Sequence, residues 1–279
     1  MITFPCAKIN LGLNIVSKRE DGYHNLETVF YPIPLTDALE IQLMDEGFPS
    51  VHHCDLKITG NDIECNEQEN LVVKAYNLLA ADYQLPRIHT HLCKKIPSQA
   101  GMGGGSSDAA SMLKLLADCF SLNISIADLQ RYAVQLGADC PFFITAQPAF
   151  ATGIGEVLSP IDLTASGLHN HYIAVVKPSV AVSTKEAFSL VKPQQPAQSC
   201  KDIVMQPIAT WRDRLTNDFE TSVFAQYPQL KDIKQELYRL GAVYAQMSGS
   251  GSSLFGIFKE EPRQIQQTFK DAFTFVAKL

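Results

Sequence analysis

The chain has 279 residues, 46% hydrophobic and 19% charged, with a formal net charge of −6. It can bury a full core, as one large domain or as two lobes. The acidic balance, with no basic stripe, excludes sequence-independent nucleic-acid binding. No apolar run approaches the roughly 20 residues of a membrane-spanning helix.

The N-terminus, Met1 to Cys6, has no basic region leading into an apolar core, so neither export nor a membrane anchor is expected. The seven cysteines form no Cys-x-x-Cys pair and their number is odd, which points to reduced thiols in a cytoplasm. From Ala7 to Ile15 the chain alternates: Ile9, Leu11, Leu13 and Ile15 share one face, and Lys8, Asn10, Gly12 and Asn14 the other. Lys8 and Asn10 therefore point the same way along an early strand. Further strands are expected at 27–33, 38–43 and 51–58. Asn70 then caps a helix carrying Leu71, Val72, Ala75, Leu78 and Leu79.

The most informative stretch is Gly101-Met102-Gly103-Gly104-Gly105-Ser106-Ser107-Asp108, directly before a helix whose apolar face is Ala109, Met112, Leu113, Leu116 and Phe120. Glycines let backbone amides point into one concavity. The helix N-terminus adds free N–H groups and the positive end of its dipole, a cradle for phosphate. The bland alternative is a flexible turn. A Walker loop is excluded because no lysine lies between Lys95 and Lys114, and the dinucleotide fingerprint fails at Ser106, where a glycine is required. The His-Arg-Asp and Asp-Phe-Gly landmarks of protein kinases are absent too.

A second helix starts at its N-cap Ser125, with Asp128 three residues on, and ends at Gly137 as the residue after the last turn. Cys140 precedes Pro141 and is biased toward extended backbone, so Asp139 is expected on a short connection between helix and strand. The pairs His52-His53 and His89-x-His91 lack partners at metal-ligand spacing and read as surface or strand-edge residues. From His171 a second α+β unit begins: strand 172–176, helices at 184–191 and 229–240, strands 243–247 and 253–258, and a helix over 263–269. Ser248-Gly249-Ser250-Gly251-Ser252 lies between two of those strands, and Pro193 to Pro196 forms a loop.

Lys8 and Asn10 on the early strand, the mid-chain glycine-serine loop, and Gly249-Ser250-Gly251 resemble the three motifs of the GHMP kinases. Ala7-Lys8-Ile9-Asn10-Leu11, Arg19 to His24, Phe30 and Gly137 to Phe143 resemble the branch whose substrate is 4-diphosphocytidyl-2-C-methyl-D-erythritol. The resemblance spans the chain. It implies an α+β, two-lobed fold: an N-terminal ribosomal-S5-like lobe, 1–160, carrying the phosphate loop, and a C-terminal ferredoxin-like lobe, 161–279, with the active site in the cleft. It also implies ATP and Mg2+, and phosphorylation of the substrate's 2-hydroxyl in the non-mevalonate route to isoprenoid precursors.

Read singly, Asp139 is a helix-terminating turn residue and Lys8 an exposed strand charge. The resemblance instead implies that Asp139 accepts the hydroxyl proton while Lys8 holds Asp139 ionised and steadies the developing charge. The phosphates would be wrapped by Pro97, Ser98, Gln99, Ala100, Gly101, Met102, Gly103, Gly104, Gly105, Ser106 and Ser107. Asn70 would contact adenine or serve only as a cap. Asp108 would sit near magnesium or favour the helix dipole. Asn10 would hold the substrate, Tyr23 and Phe188 would flank the cytosine, and His24 would bond its edge. Gly153 to Glu156 and Asn217 to Glu220 fit packing or turns. Another small-molecule kinase of this fold, and a kinase-like sensor without turnover, are the rival readings. Gly22-Tyr23-His24 argues against the first, and the joint presence of Lys8 and Asp139 against the second.

Overall fold

The computed structural model describes residues 1–61 and 65–279. In chain order the elements are β1 (Ile2–Thr3), β2 (Cys6–Lys18), β3 (His24–Thr36), β4 (Ala38–Leu43), β5 (Cys54–Gly60), α1 (Leu71–Ala80), β6 (Ile88–Lys94), α2 (Gly104–Cys119), α3 (Ile126–Leu136) and α4 (Cys140–Thr145). They continue as β7 (Ala149–Thr152), β8 (Val157–Pro160), β9 (Tyr172–Lys177), α5 (Thr184–Leu190), α6 (Cys200–Val204), α7 (Phe219–Gln226), α8 (Pro228–Arg239), β10 (Tyr244–Met247), β11 (Leu254–Phe258), α9 (Ile265–Thr268) and β12 (Phe273–Lys278). No helix among the described residues is long and apolar enough to cross a membrane. All seven cysteines are free thiols.

The chain divides into two units. The first comprises Met1–Ala7, Leu35–Ser98 and Gly103–Gln147. Its sheet runs β1-β4-β6-β5, with β5 and β6 parallel and the other pairs antiparallel. Helix α1 forms where expected, the Asn70 side chain accepting from the Val72 amide at 2.9 Å. The Ser125 hydroxyl likewise accepts from the Asp128 amide at 3.1 Å and opens α3. Gly137 ends α3 with φ 161°, extended rather than left-handed, so the expected glycine turn is not used. The expected strand after Asp139 is also replaced: Cys140–Thr145 is a helix with Pro141 in its first turn, where a missing N–H costs nothing.

The second unit comprises Lys8–Pro34, Gln99–Met102 and Pro148–Leu279. One of its sheets is β2-β3-β7-β8, the other β10-β11-β9-β12. Counted in chain order, the latter reads 4-1-3-2 with helices in both crossovers, a ferredoxin-like arrangement. Its core gathers Leu13, Val176, Phe219, Leu237, Met247 and Phe258. The alternation along β2 is real, yet both of its faces are covered: Lys8 is 4% exposed and Asn10 1%. The exposed strand charge expected for Lys8 read singly is therefore corrected. Strand β12 and the β7–β8 hairpin escaped the sequence reading because their short runs carry little periodicity.

Candidate active site

In the first unit, Gly103 takes the left-handed conformation (φ 68°, ψ 22°) at the N-cap of α2 and makes no side-chain cap. The first-turn amides of α2 therefore keep their capacity for an anion. A Cβ on Gly104 would lie 2.9 Å from Cγ2 of Ile96, so the turn is packed close against the chain leaving β6. Leu71 lies beside Gly105, 3.7 Å from where its Cβ would stand, which brings the Asn70-Leu71 pair next to the loop. Ser106 hydrogen-bonds the Cys140 thiol, tying the helix start to the segment that carries Asp139. Burial raises that thiol to about 11, so it is protonated and serves as packing. Asp139 is half-buried at the N-cap of α4.

Beneath the same turn lie three buried charges. The Lys94 ammonium donates to Asp37 and, at 2.7 Å, to Asp108. Asp37 also accepts from the amides of Lys95 and Ile96. Burial pushes Asp108 up to about 7; Lys94 opposes this, and the neighbouring Asp37 charge adds to it. Sequence reading missed this cluster: Asp37 and Lys94 carry no motif, and only the pairing of β4 with β6 brings them together.

In the second unit, Gln99–Met102 forms the other part of the loop. A Cβ on Gly101 (φ 68°) would lie 1.9 Å from the Ser248 carbonyl oxygen, so only glycine fits. The Ser248 hydroxyl donates to the Gly101 carbonyl at 2.8 Å, and the Lys8 amide donates to the Met102 carbonyl at 3.0 Å. The Lys8 ammonium donates to Oδ1 of Asn10 at 2.7 Å and lies 4.8 Å from the centre of the Phe30 ring. The Asn10 carboxamide donates onward to the Thr28 hydroxyl at 3.0 Å.

Asn217 explains its own segment: its carboxamide donates to the carbonyls of Met247 and Gly249, both at 2.8 Å, and accepts from the Phe219 amide at 3.0 Å. Asp218 accepts from the Ile15 amide, and Glu220 from the Met247 amide and Lys234. Glu156 accepts from the Ile154 amide at 2.7 Å, closing the β7–β8 turn. Tyr23 is 60% exposed on the turn between β2 and β3. The His24 ring stacks on Phe188 with centroids 5.1 Å apart, and Phe188 meets Phe219 edge-on at 4.8 Å. Burial, with Lys18 nearby, lowers the His24 pKa, which favours a neutral imidazole. Among the described residues no three His, Cys, Asp or Glu side chains converge as a metal cage.

The GHMP kinases N terminal domain matches residues 70–147, and the GHMP kinases C terminal domain matches residues 201–274. A Bacteroides fragilis protein named 4-diphosphocytidyl-2-C-methyl-D-erythritol kinase is 53% identical over the full length of both chains. A Bacteroides thetaiotaomicron protein of the same name is 54% identical, covering 94% of this chain and 93% of its own. A crystal structure of 4-(cytidine 5'-diphospho)-2C-methyl-D-erythritol kinase is similar with a TM-score of 0.79 and 30% identity, over 99% of this chain and 98% of that one.

Proposed function

Because the chain belongs to the GHMP kinases, and within them to the 4-diphosphocytidyl-2-C-methyl-D-erythritol kinases, we propose that it transfers the γ-phosphoryl group of ATP to the 2-hydroxyl of that substrate. The products are ADP and the 2-phosphate, and the step belongs to the non-mevalonate route to isoprenoid precursors. The observation that carries this reading is 53% identity across the whole chain with the B. fragilis enzyme. This reading takes an N-terminal lobe, 1–160, and a C-terminal lobe, 161–279, each holding one family match, whereas the compact units group Lys8–Pro34 and Gln99–Met102 with the C-terminal part of the chain.

Motif and geometry support the site residues of this reading. Phosphoryl transfer needs an aligned hydroxyl and neutralised phosphate charge. The loop from Pro97 to Ser107 wraps the phosphates, its first-turn amides unclaimed by a side-chain cap. Asn70, capping α1 beside that loop, contacts adenine. Asp139 accepts the hydroxyl proton as the acceptor attacks phosphorus. Lys8 steadies the negative charge, its ammonium already oriented by Asn10 and Phe30. Asn10 orients the acceptor alcohol. Tyr23 and Phe188 flank the cytosine and His24 meets its edge, leaving the face of Phe188 that it covers here. Each base–aromatic stack is worth about 1–3 kcal/mol.

Mg2+ accompanies ATP in this reading. The Ser106 hydroxyl is a hard oxygen donor in the first turn of α2 and would share the ion with phosphate oxygens and water. The ion supplies charge neutralisation on the phosphates. The cytoplasm is the compartment that suits seven free thiols.

The test is ADP release with ATP, Mg2+ and either 4-diphosphocytidyl-2-C-methyl-D-erythritol, mevalonate or homoserine. Turnover is expected on the cytidyl alcohol alone. Asp139→Asn is expected to lower kcat by about a thousandfold or more with KM values nearly unchanged, since it removes the base and keeps the shape. Turnover on another alcohol reassigns the substrate, and a fully active Asp139→Asn discards the general base.

A further inference from the structure

We infer that Lys94, bridging Asp37 and Asp108, is a positioning residue for ATP: it clamps the two feet of the phosphate loop to each other and so fixes the first turn of α2 for the nucleotide. The inference rests on the phosphate reading of that loop.

Lys94 closes β6, and the two residues after it, Lys95 and Ile96, lead straight into Pro97. Their amides both donate to one oxygen of Asp37, the residue joining β3 to β4. That pins the first foot of the loop to the sheet. Asp108 follows Ser107 directly, at the second foot, inside the first turns of α2. The Lys94 ammonium reaches both carboxylates, so one cation joins the two feet of an eleven-residue loop running from 97 to 107.

Burial makes this contact consequential. The side chains of Lys94, Asp37 and Asp108 are 4%, 0% and 3% exposed. Charges held that far from water interact strongly and rearrange little. A surface helix cap could position α2 with far less desolvation, yet no side chain caps it. The second oxygen of Asp108 is buried with no hydrogen-bond partner, and Lys94 is the cation that offsets the burial of this carboxyl group. The Gly104 site adds a steric reason: its α-carbon is packed on Ile96, and a Cβ there would approach Nζ of Lys94 to 3.4 Å. The clamp and the absence of that side chain together set the height of the amide row. A displacement of that row falls first on the phosphates it would hold.

The experiment compares wild type, Lys94→Met and Lys94→Met/Asp108→Ala. ADP affinity is measured by calorimetry, KM separately for ATP and for the cytidyl alcohol, and stability in urea. Lys94→Met is expected to weaken ADP binding and raise KM for ATP about tenfold or more while KM for the alcohol stays within about twofold. It also strands two buried carboxylates, so it loses stability, and the double variant, freed of one of them, regains part of it. The double variant is expected to keep the ATP defect. Recovery of wild-type ADP affinity alongside stability, or a parallel rise in both KM values, would overturn the inference and leave a purely structural triad. Should Lys94→Met not fold, the double variant carries the comparison alone. Wild-type protein that binds no ADP overturns the phosphate reading of the loop, and the inference with it.

Discussion

Two glycine-bearing loops of this protein are held by opposite chemistry. The turn at Gly103 to Ser107 rests on an ammonium between two carboxylates, all three buried. The loop at Ser248 to Gly251 is held by neutral groups: the Asn217 carboxamide on two carbonyls, and the Ser248 hydroxyl on the Gly101 carbonyl. A charged anchor is strong only while every partner is present, because removing one leaves a buried charge uncompensated. A neutral anchor loses roughly one hydrogen bond at a time and ignores pH. The first arrangement can carry a functional position sensitive to a single proton, and the second makes a fixed frame.

The sharpest way to break the neutral frame is steric. Gly101→Ala drives a methyl group to within 1.9 Å of the Ser248 carbonyl at a backbone angle of φ 68°. We expect a loss of at least about 4 kcal/mol in urea unfolding, or no folded protein. Asn217→Ala removes three hydrogen bonds and leaves the Met247 and Gly249 carbonyls short of a donor. An intermediate loss of about 2–3 kcal/mol is expected, equal at pH 5 and pH 8, since no titrating group is removed.

The pH-dependent effect distinguishes the two anchors best. Asp108 has its folded pKa raised to about 7, above the ordinary value near 4 of an unfolded chain. The native state therefore holds this proton more tightly than the unfolded state does. The stability it contributes is fully present below about pH 4 and is lost as pH rises through about 7. Relative to Asp108→Asn, which does not titrate, wild type should lose ground steadily across that window when both are unfolded in urea. Parallel pH curves for the two proteins would remove the distinction between the charged and neutral loops.

Much of this site was legible in the sequence because it is local. Gly103 and Gly104 before an amphipathic helix marked a helix N-terminus without reference to any partner, and the cap at Ser125 followed from side chains three residues apart. The family motifs around Lys8, Tyr23 and Asp139 are likewise short. The turn after Asp139 was misread because a local bias of the residue before proline was outweighed by the helix that Phe142, Phe143 and Ile144 form on burying their side chains.

The sequence by itself determined what short-range physics controls: the α+β alternation, the starts of α1, α2 and α3, the glycine loop and the residues that carry the kinase motifs. Tertiary structure alone decided which polar groups those elements bury together. Asp37, Lys94 and Asp108 are separated by 57 and 14 residues along the chain, and Asn217 lies 30 residues from the Met247 carbonyl that it holds. Periodicity reports which face of an element is apolar, whereas the partner of a buried charge depends on which strands pair, and that is settled only when the whole sheet closes.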